Sequence, residues 1–268
     1  MSQLQTTFQF IKAYNLINDK TLGQNFIINE SLTDKIVSGI SIAGKTVIEI
    51  GPGPGCLTRS ILKQKPESLI LLEKDSRFNP IYKEFEKHFE QRINVINQDC
   101  LEVDFGQFGE EVIVISNLPY NISTKIYTNI LTFYPNVESM VLMFQKEVAE
   151  RIVAKSGDKL FARLAAITNI IGKAKKLFIV KPTAFLPPPK IMSMVIRFDR
   201  DGHLVQHINL SKFQQVSQII FGKKRKIIAN SLKEGNFKLE EIESEILAKR
   251  AHQLTIDEIL QIYSAFQN

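Results

Sequence analysis

This chain of 268 residues has only two cysteines, Cys56 and Cys100. Two thiols with no histidine or further cysteine spaced beside them give neither a disulfide framework nor a zinc site, so both read as small side chains in a reducing compartment. Long apolar runs are missing as well. The longest stretches, Val112–Ile115 and Met140–Phe144, are strand-sized, against the roughly 20 residues of a membrane-spanning helix, so no membrane partner is expected. In the first twenty residues Phe8, Phe10, Ile11 and Leu16 are interleaved with Gln and Thr. The continuous apolar stretch of a secretory signal is lacking there, and a cytoplasmic protein is expected. Internal repeats and low-complexity tracts are absent from the sequence. Histidines number four, and His203 and His207 fall in a linker-like stretch instead of on one helix face, so no metal is expected.

What is present is a chain that is 44% hydrophobic, long enough for one sizeable core and a small second domain. Net charge is +6 and the pI about 9.1, which admits an acidic partner. The charge is concentrated. Between Gln145 and Lys190 ten Lys or Arg face three acids, a segment able to line a phosphate-binding surface or to form a solvated helix face.

Short β-branched runs alternate with helix-length amphipathic stretches. Strands are expected near Thr46–Ile50, Ser68–Leu72, Ile93–Ile96, Val112–Ser116 and Ser139–Phe144. Helices are expected near Leu57–Lys65, Arg77–Phe89, Thr124–Phe133 and Lys146–Ala154. That alternation predicts an α/β fold with a mostly parallel sheet covered on both faces. Two further strands, Leu177–Val180 and Ser193–Phe198, flank Pro187-Pro188-Pro189 without a helix between them, and a partly antiparallel edge joins them most simply. After Gly202 only helical spacing remains, ending in a helix opened by a Thr255-to-Glu258 capping box. A boundary near residue 200 is expected, with domains 1–200 and 201–268, and a separately packed helical domain would be removable from a folded core.

Glu49-Ile50-Gly51-Pro52-Gly53-Pro54-Gly55 follows a strand and precedes a helix, where an α/β sheet presents its ligand site. The spacing is G-x-G-x-G, with Cys56 where a dinucleotide fingerprint would place its last glycine. Glu73 ends the second strand and can accept from both hydroxyls of a ribose. Asp99 follows the third and can accept from an adenine amino group. Three ligand-type residues at successive strand ends point to a nucleoside cofactor, either a dinucleotide or S-adenosylmethionine.

The fourth strand runs into Asn117-Leu118-Pro119-Tyr120. Pro119 biases Leu118 to an extended conformation, so the Leu118 carbonyl and the Asn117 amide oxygen become adjacent acceptors, with Tyr120 as a stacking platform. An exocyclic adenine nitrogen needs such a set, because its lone pair is delocalised into the ring until two acceptors draw its N–H groups toward tetrahedral geometry. Positioning and electrostatics then suffice, with no general base.

Over nearly its full length the chain resembles the ribosomal RNA adenine dimethyltransferases. The resemblance rests on Leu22-Gly23-Gln24-Asn25-Phe26-Ile27, the Glu49–Gly55 loop, Glu73, Asp99, the Asn117–Ser123 stretch, Gln145-Lys146-Glu147, Phe185 with the three prolines and Lys190, and Arg225-Lys226 before Asn230. The small-subunit branch is the nearest in pattern. The resemblance implies a Rossmann-like seven-stranded methyltransferase sheet with a small all-α C-terminal domain. It implies S-adenosylmethionine as cofactor, contacted by Asn25, Ile27, Gly51, Glu73, Asp99 and Asn117. Asn117, Leu118, Pro119 and Tyr120 would form the catalytic turn, with Tyr120 and Phe185 holding a flipped adenine. Two adjacent adenines near the 3′ end of 16S rRNA, within the small ribosomal subunit or its precursor, would be the target of a monomeric enzyme. Lys223, Lys224, Arg225 and Lys226 form a basic cluster expected to meet phosphate. Departures are Met192 where the family usually has Asp, Phe161-Ala162 where Tyr-Gly is frequent, and His252 where Glu is common. Alternatives are a non-catalytic RNA-binding or transcription-factor protein on this scaffold, a large-subunit rRNA adenine methylase, and a DNA adenine methylase. The intact turn and Glu73 argue for catalysis, and the small C-terminal domain argues against DNA.

Overall fold

Strand-forming residues here are apolar on both faces. In the computed structural model, which describes residues 4–16, 25–201, 208–223 and 225–267, Val47, Ile48, Val112, Val114 and Ile115 are fully buried. Continuous burial of that kind requires a parallel sheet sandwiched by helices. The strands are β1 (Phe26–Ile27), β2 (Thr46–Ile50), β3 (Ser68–Leu72), β4 (Ile93–Ile96), β5 (Val112–Asn117), β6 (Val137–Gln145), β7 (Gly172–Val180), β8 (Phe185–Leu186) and β9 (Ser193–Arg200). Among the described residues seven of them form one sheet in the order β4-β3-β2-β5-β6-β9-β7, while β1 pairs with β8 in a separate two-stranded ladder. β2, β3, β4, β5 and β6 pair in parallel, and β9 runs antiparallel to β6. The two late strands do make the partly antiparallel edge, with β9 between β6 and β7.

Helices of the first compact unit, residues 1–149 with 175–199, are α1 (Thr7–Ala13), α2 (Glu30–Val37), α3 (Cys56–Lys63), α4 (Asn79–Phe89) and α5 (Ser123–Phe133). Their starts have local causes. Thr6 and Gln9 make a capping box at α1, and the Asn29 side chain accepts from Leu32 N at α2. α1 is held by Arg59, 5% exposed, whose guanidinium lies over the Phe10 and Phe85 rings and donates to the Gln5 carbonyl.

The second unit takes in residues 150–174 and 200–268, so the chain passes between units three times instead of once near residue 200. The reason is apolar packing. After α6 (Lys146–Ile152), helix α7 (Arg163–Ile171) buries Ala165, Ala166, Ile170 and Ile171 and packs on α8 (Leu210–Gly222) and on the last helix. α9 (Ile228–Leu232), α10 (Ser244–Ala248) and α11 (Ile256–Ser264) complete this unit, with the Thr255–Glu258 capping box opening α11. Phe161, one of the family departures, is 2% exposed and meets Phe221 edge-on at 6.0 Å. It is a core residue of this unit.

Candidate active site

The glycine loop leaves β2 and turns into α3. Gly51, Gly53 and Gly55 all have positive φ, at 62°, 55° and 78°. At Gly55 a side chain is excluded twice over, since a Cβ there would lie 2.3 Å from Phe85 Cε2. Buried Tyr82 donates to the Gly53 carbonyl at 2.8 Å, and Ser116 Oγ donates to the Ile50 carbonyl at 2.6 Å. The loop is thus pinned from α4 and from β5.

Beside it lie three carboxylates. Glu73, 6% exposed, accepts from Gly53 N at 3.0 Å through one oxygen and from Asp75 N at 2.9 Å through the other. Burial pushes the acid up to about 7, with the backbone N–H groups of Asp75, Gly53 and Lys74 opposing the shift. Glu49 is buried deeper under the loop, accepts from Thr58 Oγ1 at 2.7 Å, and is pushed by burial to about 8. Asp99 differs: Leu101 N donates to it at 3.0 Å and holds it below its ordinary value, helped by Lys74 at 3.3 Å. One end of the site is therefore anionic at neutral pH and the other titrates there.

The turn after β5 completes the wall. Asn117 donates through Nδ2 to the Asn25 carbonyl at 3.2 Å. That bond turns Oδ1 the other way, and Oδ1 is buried with no hydrogen-bond partner. A buried unsatisfied acceptor costs about 1 to 3 kcal/mol, so the position has a use for an incoming donor. Leu118 is 1% exposed. Tyr120 shares a 2.6 Å hydrogen bond with Ser193 Oγ, and burial raises its phenol above the ordinary value, keeping it neutral. Asn25, Gly51, Glu73, Asp99, Asn117, Leu118, Pro119 and Tyr120 line a single cavity of about 230 Å³.

The ribosomal RNA adenine dimethylase family matches this chain over residues 15–268. The chain belongs to that family. The ribosomal RNA small subunit methyltransferase A of Agrobacterium fabrum is 39% identical over 261 residues, 94% of each chain. That of Bartonella bacilliformis is 39% identical over 264 residues, 95% of each. A dimethyladenosine transferase from Plasmodium falciparum has a similar structure, with a TM-score of 0.78 at 26% identity over 87% of this chain and 94% of that one. The 23S rRNA methyltransferase ErmE shares the fold, with a TM-score of 0.72 at 20% identity over 91% of this chain and 100% of that one.

The cofactor of this dimethylase is S-adenosylmethionine, and the cavity fits it. A cationic sulfonium suits a wall carrying Glu73 and Asp99, ribose hydroxyls suit the Glu73 carboxylate as acceptor, and Gly51 lines the cavity with backbone alone. Not every residue expected at the site lies there. Ile27 lines an adjoining smaller pocket with Asn25, Glu49, Gly51 and Asn117. Phe185, expected as a second stacking face, does not line the cavity. It pairs with Ile27 across the β1–β8 ladder, is 3% exposed and belongs to the core. Of the basic cluster, Lys223 is paired with Glu234, Arg225 and Lys226 are exposed, and Lys224 lies outside the described residues. Lys74, Tyr82 and Ser193 were not foreseen. Lys74 follows Glu73 directly and its place at a strand end was a signal; the other two act over 29 and 73 residues of chain, respectively, and carry none.

Proposed function

We propose that this dimethylase methylates N6 of two adjacent adenines near the 3′ end of 16S rRNA, giving N6,N6-dimethyladenosines during small-subunit biogenesis. It works as a cytoplasmic monomer on the small ribosomal subunit or its precursor. The observation that carries the reading is the buried, unpartnered Oδ1 of Asn117. It accepts one N–H of the target amino group, and the Leu118 carbonyl accepts the other, so the nitrogen lone pair is localised and aimed out of the ring plane. Tyr120 offers its ring to one face of the flipped base, worth about 1 to 3 kcal/mol of stacking. S-adenosylmethionine supplies an electrophilic methyl group. Glu73 holds its ribose, Asp99 its adenine amino group, and Gly51 with Asn25 lets the backbone come close. Ile27 supports the loop from the adjoining pocket. After transfer the nitrogen is acidic and sheds a proton to solvent, so no general base is needed. Exposed Arg225 and Lys226, with Lys223 and Lys224, meet phosphates.

A second transfer requires the monomethylated base to turn about C6–N6, with one acceptor used and stacking doing the holding. Incubation with unmethylated small subunits, followed by mass mapping at long times, tests this. Two adjacent dimethyladenines are expected; accumulation of monomethyladenine with excess cofactor would refute the dimethylation.

A further inference from the structure

Two large apolar side chains stand side by side in solvent at the carboxyl rim of the sheet. Ile191 is 43% and Met192 47% exposed, and Lys190 before them is exposed too. Lone exposed hydrophobics are ordinary on a protein surface, but the position of this pair is not. Asn117 pairs with Met143, and Met143 with Val195, so β9 begins at Ser193, opposite Gln145, beyond the level of the catalytic turn. The Met192 carbonyl accepts from Lys146 N at 2.9 Å, which fixes this residue just outside the ladder. Ser193 is fully buried and its hydroxyl holds that of Tyr120 at 2.6 Å. Met192 is therefore one residue from the group that anchors the base platform. The approach through Pro187-Pro188-Pro189 is stiff, since each ring fixes φ.

We propose that Lys190, Ile191 and Met192 form a nucleotide-contacting lip of the active site. Ile191 and Met192 lie against the face of the base next to the target adenine, in the stack that the adenine leaves, and Lys190 meets the phosphate beside it. The proposal rests on the reading that the target is a base flipped out of RNA. Flipping strips the neighbouring base of a stacking partner, and an apolar side chain at that step replaces it. A lysine next to such a wedge adds a mobile point charge suited to a phosphate. Serine or aspartate at these positions would offer water a place instead.

The test compares I191S/M192S with I191L/M192L on unmethylated small ribosomal subunits, with calorimetry of S-adenosylmethionine binding as the check on the fold. The serine pair should lose about tenfold or more in kcat/KM for subunits while cofactor affinity stays at the wild-type value. The leucine pair should stay within about threefold of wild type. Lys190→Gln should raise KM for subunits and lower the salt slope of binding by about 0.7 to 0.9. A serine pair as active as wild type overturns the lip, and so does a leucine pair that falls as far as the serine pair. Wild-type protein that fails to methylate adenine would sink the proposed function itself, which separates the two failures.

Discussion

Cofactor affinity should depend on pH through Glu73. Burial sets this acid at about 7 before the cofactor binds, and two ribose hydroxyls donating to it favour the carboxylate, so binding lowers its pKa again. The sign follows: affinity is full above about 7 and falls as pH drops through 7. At pH 8 about nine sites in ten are ionised, and at pH 6 about one in eleven, so the dissociation constant should rise about tenfold between them. Binding at pH 6 should also release close to one proton, read by calorimetry in two buffers of different ionisation enthalpy. Glu49, at about 8, titrates nearby, so the assignment needs a variant. Glu73→Gln should bind more weakly at pH 8, by about 1.5 to 3 kcal/mol, and should lose the tenfold pH step. A wild-type affinity equal at pH 6 and 8, or a glutamine variant with an undiminished step, would refute the reasoning.

Asn117→Ala should cut turnover on small subunits by about 100- to 1000-fold while changing subunit binding little, because the proposed mechanism uses Oδ1 in the transition state; equal losses in both would make Asn117 a turn residue only. Glu49→Gln should gain stability on wild type as pH rises. The folded value of about 8 stands above the ordinary 4.5, so the stability Glu49 contributes is full below about 4.5 and is lost toward 8, by about 1 kcal/mol per pH unit. Urea unfolding at pH 5.5 and 7.5 checks it, and a constant gap between the two proteins would sink it. Deleting residues 201–268 should give an aggregating, protease-sensitive chain, because α7 loses α8 and α11 and exposes its buried face; a monomeric, protease-resistant product would contradict this.

The parallel strands were legible because burial on both faces leaves an apolar run, as in Val112–Ser116, and their carboxyl ends located Gly51, Glu73, Asp99 and Asn117. Other parts were not. The first half of β7 carries Lys173, Lys175 and Lys176, all exposed, and lies at the sheet's edge, so it reads as a charge run instead of a strand. α7 is apolar nearly all round, without the contrast that marks an amphipathic helix. Its membership of the helical unit depends on helices that begin only at Leu210. The turn chemistry of Asn117 to Tyr120 was readable, but the orientation of the Asn117 amide depends on Asn25, 92 residues away in sequence. Phe185 fitted the motif and not the cavity, because its pairing with Ile27 turns it inward.

The strand order also sets a schedule for synthesis. β7 leaves the ribosome before β9, yet it sits outside β9 in the sheet and has no strand to join until residues 193–200 emerge. α7, made just ahead of it, waits longer still for α8 and α11. A nascent chain halted near residue 190 therefore holds only β4-β3-β2-β5-β6 of the large sheet, with the β1–β8 ladder beside it, and α7 with its buried face unpartnered. Closing the sheet and building the helical unit are both left to the final stretch of translation. A chain interrupted there is the species most in need of chaperone cover.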